Sequence, residues 1–220
     1  AVANQTNATF IKLVASEFVN KFRNNPMSHG INYEKIKNGI DKKIYSVRID
    51  NSYRGIVACQ QETGVYLLLW VDHHDEAYQW ASRKRCEVNP KTGAIQVFDV
   101  QTVVERVSAP EQKALFAAAK DDELLKLGVP EVQLDFVRSF VSKEDFHNAE
   151  SSMPHDAYEH LSWLAEGFPM EEVLELVSEE QNAAASSEDL SAALVVPTTL
   201  KSFVVVEGEE ELRRIMAEPL

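Results

Sequence analysis

Hydrophobic and polar residues are ordered along residues 44–78 in a way that predicts a small antiparallel sheet. Residues 45–50 alternate between apolar and polar side chains, which is the two-residue period of a strand with one solvated face. Residues 53–60 contain β-branched and aromatic side chains, and residues 65–71 are apolar at every position. Because turn-forming residues separate these runs, the pattern predicts a three-stranded meander that continues into a helix.

The segments around the meander predict the remainder of a compact α+β unit. Apolar residues spaced by three and four positions, from Phe10 to Phe22, predict a helix over residues 4–23 that packs on the sheet. A second, short helix is predicted over residues 32–37 and ends before Gly39. A helix over residues 73–84 and strands over residues 86–88 and 94–100 complete the predicted unit.

Beyond residue 108 the pattern changes to short helices separated by turns that contain Gly or Pro. Ser142, with Asp145 three residues later, is typical of a helix N-terminal cap. A strand is predicted over residues 201–207 and a last helix over residues 209–217. The other helices are predicted over residues 111–119, 122–127, 131–140, 142–149, 155–166, 171–180 and 188–194.

The two halves of the chain differ in charge. Residues 1–108 contain 14 Lys and Arg against 11 Asp and Glu, whereas residues 109–220 contain 8 against 24, and the whole chain carries −13. We therefore predict two domains, residues 1–108 and residues 109–220. Binding to a phosphate backbone requires basic groups, so a nucleic-acid contact is expected in the first domain.

Cysteine usage and hydropathy indicate a cytoplasmic protein. Cys59 and Cys86 lack the C-x-x-C spacing of a redox or zinc motif, and we expect two buried free thiols in a reducing compartment rather than a disulfide or a metal site. No apolar run approaches the roughly 20 residues of a membrane span, and no signal peptide opens the chain. No membrane partner is therefore expected.

The order of elements and motifs in the first domain resembles the RelE/ParE superfamily of small bacterial toxins. In that superfamily two N-terminal helices lie on a sheet that carries an Arg, a Tyr-Arg pair and then a His and a Tyr, as in IYSVRIDNSYRGIVAC and GVYLLLWVDHHDEAY here. The longer stretch VYLLLWVDHHDEAYQWASRKRCEVNPKTGAIQVFDV, followed by LLKLGVP, resembles the N-terminal region of bacterial superfamily 1 helicases of the UvrD/Rep type. This resemblance covers residues 40–217.

The resemblance implies that the chain is the N-terminal part of a DNA helicase in which a toxin-like domain precedes the motor. The chain contains no G-x-x-x-x-G-K-[ST] motif, so it cannot cradle nucleotide phosphates as a P-loop does. No cofactor is therefore expected in this chain, and ATP and Mg²⁺ are expected only at a C-terminal motor. The expected partners are nucleic acid, DNA rather than RNA, and the helicase motor itself.

The resemblance also implies a set of site residues near the predicted sheet. Arg48 and Arg54 are expected to bind phosphate, His73 or His74 to act as base or acid, and Tyr78 to stack on a base. His74 and Tyr78 are four residues apart, so a helix places them on one face. Cleavage of RNA without a metal requires such a base, an acid and cationic donors for the charged phosphorane.

The charged residues at both ends of the helix predicted over residues 73–84 have a second interpretation. Acidic residues at its start complement the helix dipole and oppose an anion there. The basic run Arg83-Lys84-Arg85 is predicted to contact nucleic acid, but it equally complements the C-terminal end of the helix. No metal site is predicted, because adjacent helical residues such as His73 and His74 point about 100° apart. His155 and His160 are expected on the surface.

Three hypotheses follow for the function. The leading one is a non-motor accessory domain of a superfamily 1 DNA helicase, which binds nucleic acid or a partner through a degenerate toxin-like site. The alternative from the enzyme class is an active, metal-independent RelE-like endoribonuclease. The third is a structural role, in which the acidic helical region is a spacer that docks on the motor.

Overall fold

A computed structural model describes residues 18–26, 28–60, 62–100, 114–180 and 190–206, together with residues 210 and 214. These residues form two compact units of mixed α and β structure. The first unit extends to Ser82 and includes residues from Val204 onward, and the second spans Arg83–Phe203. No helix in this described part of the chain is long and apolar enough to cross a membrane.

The first unit contains a four-stranded antiparallel meander. Its strands are β1 (Glu34–Lys35), β2 (Ile44–Arg48), β3 (Tyr53–Gln60) and β4 (Val65–His73), and they lie in chain order in the sheet. A bulge interrupts the β3–β4 pairing between Ile56 and Val57. The three strands predicted from residues 44–71 are therefore present, and a short fourth strand precedes them.

Helices lie on opposite faces of this sheet. Helix α1, which is described over residues 18–24, packs on one face, where Phe18 is buried together with Val47 and Val57. Helix α2 (His74–Ser82) follows β4 directly and buries Ala77 and Ala81. Its residue Tyr78 contacts β1, which places α2 on the other face.

The short helix predicted over residues 32–37 is wrong, because this segment contains strand β1. Glu34 pairs with Ser46 and Lys35 pairs with Tyr45. Asn32 has a φ of 49°, in the left-handed region that Asn tolerates better than most residues. A residue in that conformation interrupts a right-handed helix, so the apolar spacing of this segment was not sufficient to form one.

The second unit begins with a hairpin of β5 (Lys84–Val88) and β6 (Ile95–Asp99). Both strands had been predicted, but as part of the first domain, whereas the compact units divide before β5. The predicted boundary near residue 108 lies outside the described residues. The helices that follow are α3 (Asp121–Lys126), α4 (Leu134–Arg138), α5 (Lys143–His147), α6 (His155–Ala165), α7 (Met170–Glu180), α8 (Leu190–Ala193) and α9 (Pro197–Ser202).

The helices of the second unit enclose a core in which aromatic residues are prominent. Phe116, Phe140 and Phe146 are buried there with aliphatic residues from α3, α6 and α7. Ser142 caps α5 as predicted, since its Oγ accepts a hydrogen bond from the amide of Asp145 at 3.1 Å. Most of the predicted helices are thus present, several of them shortened to one or two turns.

The strand predicted over residues 201–207 is wrong within the part of it that is described. Residues 197–202 form α9, which begins with Pro197 at its first position. Proline fits the helical φ there, and the N–H that it lacks would have no partner within the helix. Residues 203–206 join no sheet, and Val204 is 68% exposed. A run of three valines without a neighbouring strand to pair with does not form one. The helix predicted over residues 209–217 lies mainly outside the described residues.

Candidate nucleic-acid interface

The sheet register places Arg48 and Arg54 next to each other on the face that α2 covers. Arg48 pairs directly with Arg54, and Arg54 pairs with Asp72. Directly opposed residues in an antiparallel sheet project to the same side, and every second residue along a strand shares that side. The two arginines therefore lie on the same face as Glu34, which pairs with Ser46 two residues before Arg48.

Both guanidinium groups are held by the turn between β2 and β3. Arg48 donates from Nη2 to Asn51 Oδ1 at 2.6 Å and from Nε to the Asp50 carbonyl at 3.3 Å. Arg54 donates from Nη1 to the carbonyls of Asp50 and Tyr53, each at 3.0 Å. Within the described part of the chain neither arginine forms an ion pair. Their charges are positioned by neutral acceptors and are available to an anion.

Tyr78 and Glu34 are joined on this face. The Tyr78 hydroxyl donates to Glu34 Oε2 at 2.6 Å, and Asn32 Nδ2 donates to Glu34 Oε1 at 2.8 Å. Burial raises the pKa of the Tyr78 phenol and the hydrogen bond to Glu34 raises it further, while the charge of Arg54 acts in the opposite direction. The phenol therefore stays protonated at neutral pH and is a donor and a stacking surface rather than a base.

His74 lies against Tyr78, as its position one helical turn earlier predicted. The two ring centroids are 4.7 Å apart and the rings are inclined by 23°. His74 Nδ1 is 2.8 Å from Asp75 Oδ1, and the His74 side chain is 50% exposed. Because a carboxylate only accepts hydrogen bonds, Nδ1 carries the proton, and Nε2 of the neutral ring is an acceptor.

His73 is on the opposite side of the sheet from this group. It pairs with Tyr53 at the end of β4, one residue out of phase with Arg54 and Asp72. Its ring stacks on Tyr53 with the centroids 4.4 Å apart. Of the residues predicted to form one site, Arg48, Arg54, His74 and Tyr78 therefore lie on one face and His73 lies on the other.

The predicted basic cluster Arg83-Lys84-Arg85 belongs to the second unit, where its charges are paired. Lys84 Nζ is 2.8 Å and Arg83 Nε is 3.4 Å from the carboxylate of Asp99 on the neighbouring strand. Arg85 Nε is 3.9 Å from Glu87. Because neighbouring carboxylates compensate these charges, the cluster stabilises the β5–β6 hairpin and offers less to a phosphate than the arginines of the first unit.

A pair of stacked tryptophans lies on the same sheet face as the arginines and was not predicted as part of the site. Trp70 pairs with Ile56, two residues before the Asp72 that opposes Arg54. The Trp70 and Trp80 rings are nearly parallel, at 7°, with centroids 5.3 Å apart, and Trp70 is 42% exposed. The spacing of Trp70 and Asp72 along β4 contained this signal, but the unbroken apolar run suggested a strand covered on both faces.

Glu34 was missed for a different reason. The sequence pattern placed it in a helix, where it would be one more surface carboxylate. In the structure it lies on β1, 44 residues from Tyr78 along the chain, and the two side chains are in hydrogen-bond contact. Only the pairing of β1 with β2 brings them together, and no local pattern encodes that pairing.

The second unit contains a buried polar group around α6. His160 is only 6% exposed and its Nδ1 is 2.8 Å from the Leu127 carbonyl, so the expected surface position of this residue is wrong. Gln96 Nε2 donates to the Gly128 carbonyl at 2.6 Å and to Asp156 Oδ2 at 3.0 Å. These contacts satisfy polar groups between the hairpin, a loop and a helix, which is a structural role.

Cys59 and Cys86 are buried and unbridged, as predicted. Among the described residues no group of three or more His, Cys, Asp or Glu side chains is arranged to hold a metal ion. Comparisons of the chain with protein-family models, with curated proteins and with solved structures found no match.

Proposed function

We propose that the first unit binds nucleic acid on the sheet face that carries Arg48, Arg54, His74 and Tyr78. The observation that supports this most directly is the pair of opposed arginines, whose guanidinium groups have carbonyl and amide acceptors but no acidic partner among the described residues. Two fixed cations beside a stacked His–Tyr pair combine phosphate binding with a flat surface for a base.

The unit is further proposed to be a non-motor accessory domain of a superfamily 1 DNA helicase. This part of the proposal rests on the resemblance over residues 40–217, with ATP hydrolysis assigned to a motor outside this chain. DNA is the proposed ligand because it is the substrate of such a motor. Binding at this face would hold the strand close to the motor and raise its effective concentration there.

A salt-dependent binding titration tests the proposal. The chain is titrated with a fluorescent oligothymidylate at several salt concentrations, and the same is done with Arg48→Gln, Arg54→Gln and the control Lys143→Gln, a lysine of the second unit paired with Glu166. Each arginine variant is expected to weaken binding and to reduce the salt dependence by about one released counterion. Binding that is absent, or that is equally strong in all four proteins, would refute the proposal.

One observation favours a second candidate, a metal-independent endoribonuclease. The exposed His74 has its Nδ1 bound to Asp75 and its Nε2 available, and Arg54 is near Tyr78 on the same face. His74 would take the proton from the 2′-hydroxyl and later return it to the leaving oxygen, and Arg54 would stabilise the charged phosphorane. The chain should then cleave RNA in the presence of a chelator, and His74→Ala and Arg54→Ala should abolish cleavage. An inert wild-type chain would remove this candidate.

A further inference from the structure

The stacked tryptophans beside the arginines point to a preference for single-stranded over duplex nucleic acid. Trp80 stacks on Trp70 in a nearly parallel arrangement, with ring centroids 5.3 Å apart, and Trp70 is 42% exposed. Trp70 Nε1 donates to Asp72 Oδ2 at 3.2 Å, which fixes the orientation of the indole. The ring is therefore a flat aromatic surface held in place before any ligand arrives.

The position of this ring relative to the cations decides what it can bind. Trp70 is a diagonal neighbour of Arg54 across β3 and β4, because Arg54 opposes Asp72 and Ile56 opposes Trp70. Diagonal neighbours on one face are roughly 7–8 Å apart, a distance that one nucleotide can span with its phosphate at one end and its base at the other. A base can lie flat on Trp70 while its phosphate reaches Arg54.

Such an arrangement discriminates between single strands and duplexes. In a duplex both faces of a base are covered by its neighbours, so an indole can reach one only after unstacking, which costs free energy. In a single strand the base is free to stack, and an aromatic surface accepts any base because each has a π-face.

We infer that Trp70, supported by Trp80, is the base-stacking platform of the nucleic-acid site in the first unit and makes that site selective for single strands. This inference rests on the proposed function and adds a ligand class and a specificity-determining residue to it. Arg48 and Arg54 then supply affinity for any phosphate backbone, and Trp70 supplies the preference for unpaired bases.

Tryptophan fluorescence and affinity together test this inference. Oligothymidylate should quench the emission of the whole chain, and quenching should persist in Trp163→Phe, which removes the partly buried tryptophan of the second unit. Trp70→Leu, which keeps an apolar side chain but lacks the flat ring, should bind oligothymidylate at least about fivefold more weakly and should lose its preference over a duplex of the same length. Circular dichroism checks that the variant is folded, and Trp70→Phe, with a smaller ring, should give an intermediate affinity if Trp70→Leu does not fold.

The outcomes separate the inference from the proposed function. If Arg54→Gln loses binding while Trp70→Leu and Trp70→Phe bind as tightly as the original chain, the platform is refuted and the phosphate site survives. Quenching that disappears in Trp163→Phe also refutes the platform. If no nucleic acid binds to the unmodified chain, the proposed function fails and the inference fails with it.

Discussion

The phenylalanine core of the second unit and the tryptophan pair of the first unit use aromatic side chains in opposite ways. In the second unit Phe140 and Phe146 are 1% and 0% exposed and pack edge to face, with ring centroids 5.7 Å apart. In the first unit, near the end of β4, Trp70 is 42% exposed and rests on Trp80 in a parallel stack. Burial in a core gains hydrophobic free energy, whereas an exposed, oriented ring gains little from folding and remains available to a ligand.

The two units also differ in how some of their charged side chains are paired. In the second unit Asp122 is within 2.6 Å of both Lys91 and Lys126, and these hydrogen bonds lower the pKa of its carboxyl to about 2. In the first unit Arg48 and Arg54 donate to carbonyl and amide oxygens instead. The comparison sets the two lysines paired with Asp122 in the second unit against Arg48 and Arg54 of the first unit, which have no acidic partner among the described residues. Site residues are therefore expected where aromatic and cationic groups are exposed together.

The largest effect is expected from the phenylalanine core of the second unit. Phe146→Ala should lower the free energy of unfolding by about 3–5 kcal/mol, because it leaves a cavity between Phe116, Phe140 and Tyr158. Phe168→Ala is the matched control. Because Phe168 is 50% exposed, this substitution should lower the free energy of unfolding much less. Chemical denaturation followed by circular dichroism measures both.

The same measurement on Trp70→Leu sharpens the comparison between the units. Because Trp70 is partly exposed, its loss should destabilise the chain far less than the loss of Phe146. Equal costs would mean that Trp70 serves the core of the first unit, and the contrast between stabilising and ligand-binding aromatics would not hold.

A smaller effect is expected from two glycines of the second unit that share a backbone conformation. Gly128 has a φ of 93° and Gly167 a φ of 101°, so Ala at either position is strained by about 1–3 kcal/mol. A Cβ at Gly128 would lie 2.8 Å from Asp156 Oδ2, whereas a Cβ at Gly167 would meet nothing within 4 Å. Gly128→Ala should therefore destabilise the chain more than Gly167→Ala. If both substitutions lower the free energy of unfolding by the same amount, the Asp156 side chain moves away from the new Cβ without cost.

Asp156 gives a pH-dependent test of the buried polar group. Burial raises the pKa of its carboxyl, and the hydrogen bond from Gln96 only partly opposes this. An acid whose pKa is higher in the folded state than in the unfolded chain favours folding when protonated. Its contribution is complete below the usual pKa of an aspartate and is lost as the pH rises through the raised value.

Asp156→Asn should remove this dependence while keeping an oxygen that accepts from Gln96. The stability of the variant relative to the original chain should therefore increase as the pH rises from strongly acidic to neutral. Denaturation at a series of pH values measures this difference. A difference that is constant with pH, or that falls as pH rises, would contradict the raised pKa of Asp156.

Local patterns in the sequence predicted most of the elements but not how they are grouped. The alternation along residues 45–50 and the turn residues after them determine β2, β3 and β4, because strand period and turn chemistry are local properties. The hairpin β5–β6 was predicted as well, yet it belongs with the helical unit. The charge difference that suggested the boundary describes surfaces, and compact units are set by contacts.

The candidate site could be predicted only in part, because local spacing can be read from the sequence and strand pairing cannot. Arg48, Arg54, His74 and Tyr78 were expected from the resemblance. The two arginines flank one turn, and His74 and Tyr78 share one helical face, so short-range spacing was sufficient to expect each pair close together. Glu34 required knowledge of the β1–β2 pairing, and the face of Trp70 required the register of β3 with β4. Successive residues along a strand point to opposite faces, and this alternation separates His73 from Asp72.

The smallest effect is expected at the contact between Tyr78 and Glu34, which lies at the surface of the first unit. Tyr78→Phe keeps the ring that stacks on His74 and removes one hydrogen bond, so it should lower the free energy of unfolding by at most about 1 kcal/mol. Glu34→Gln leaves a single acceptor oxygen for two donors, Tyr78 and Asn32, and should cost a similar amount.

The pKa of Tyr78 is the sharper measurement of this contact, because the carboxylate of Glu34 contributes to raising it. Nuclear magnetic resonance of ring-labelled tyrosine follows each phenol through its titration, and Tyr78→Phe identifies the Tyr78 signal by its disappearance. In Glu34→Gln the negative charge is gone while Arg54 remains, so the pKa of Tyr78 should fall toward the ordinary value of a tyrosine. If it stays unchanged, burial alone sets the pKa and β1 does not hold Glu34 against Tyr78 in solution. The sheet face that carries Arg48 and Arg54 would then lack the Glu34 carboxylate that the structure places on it.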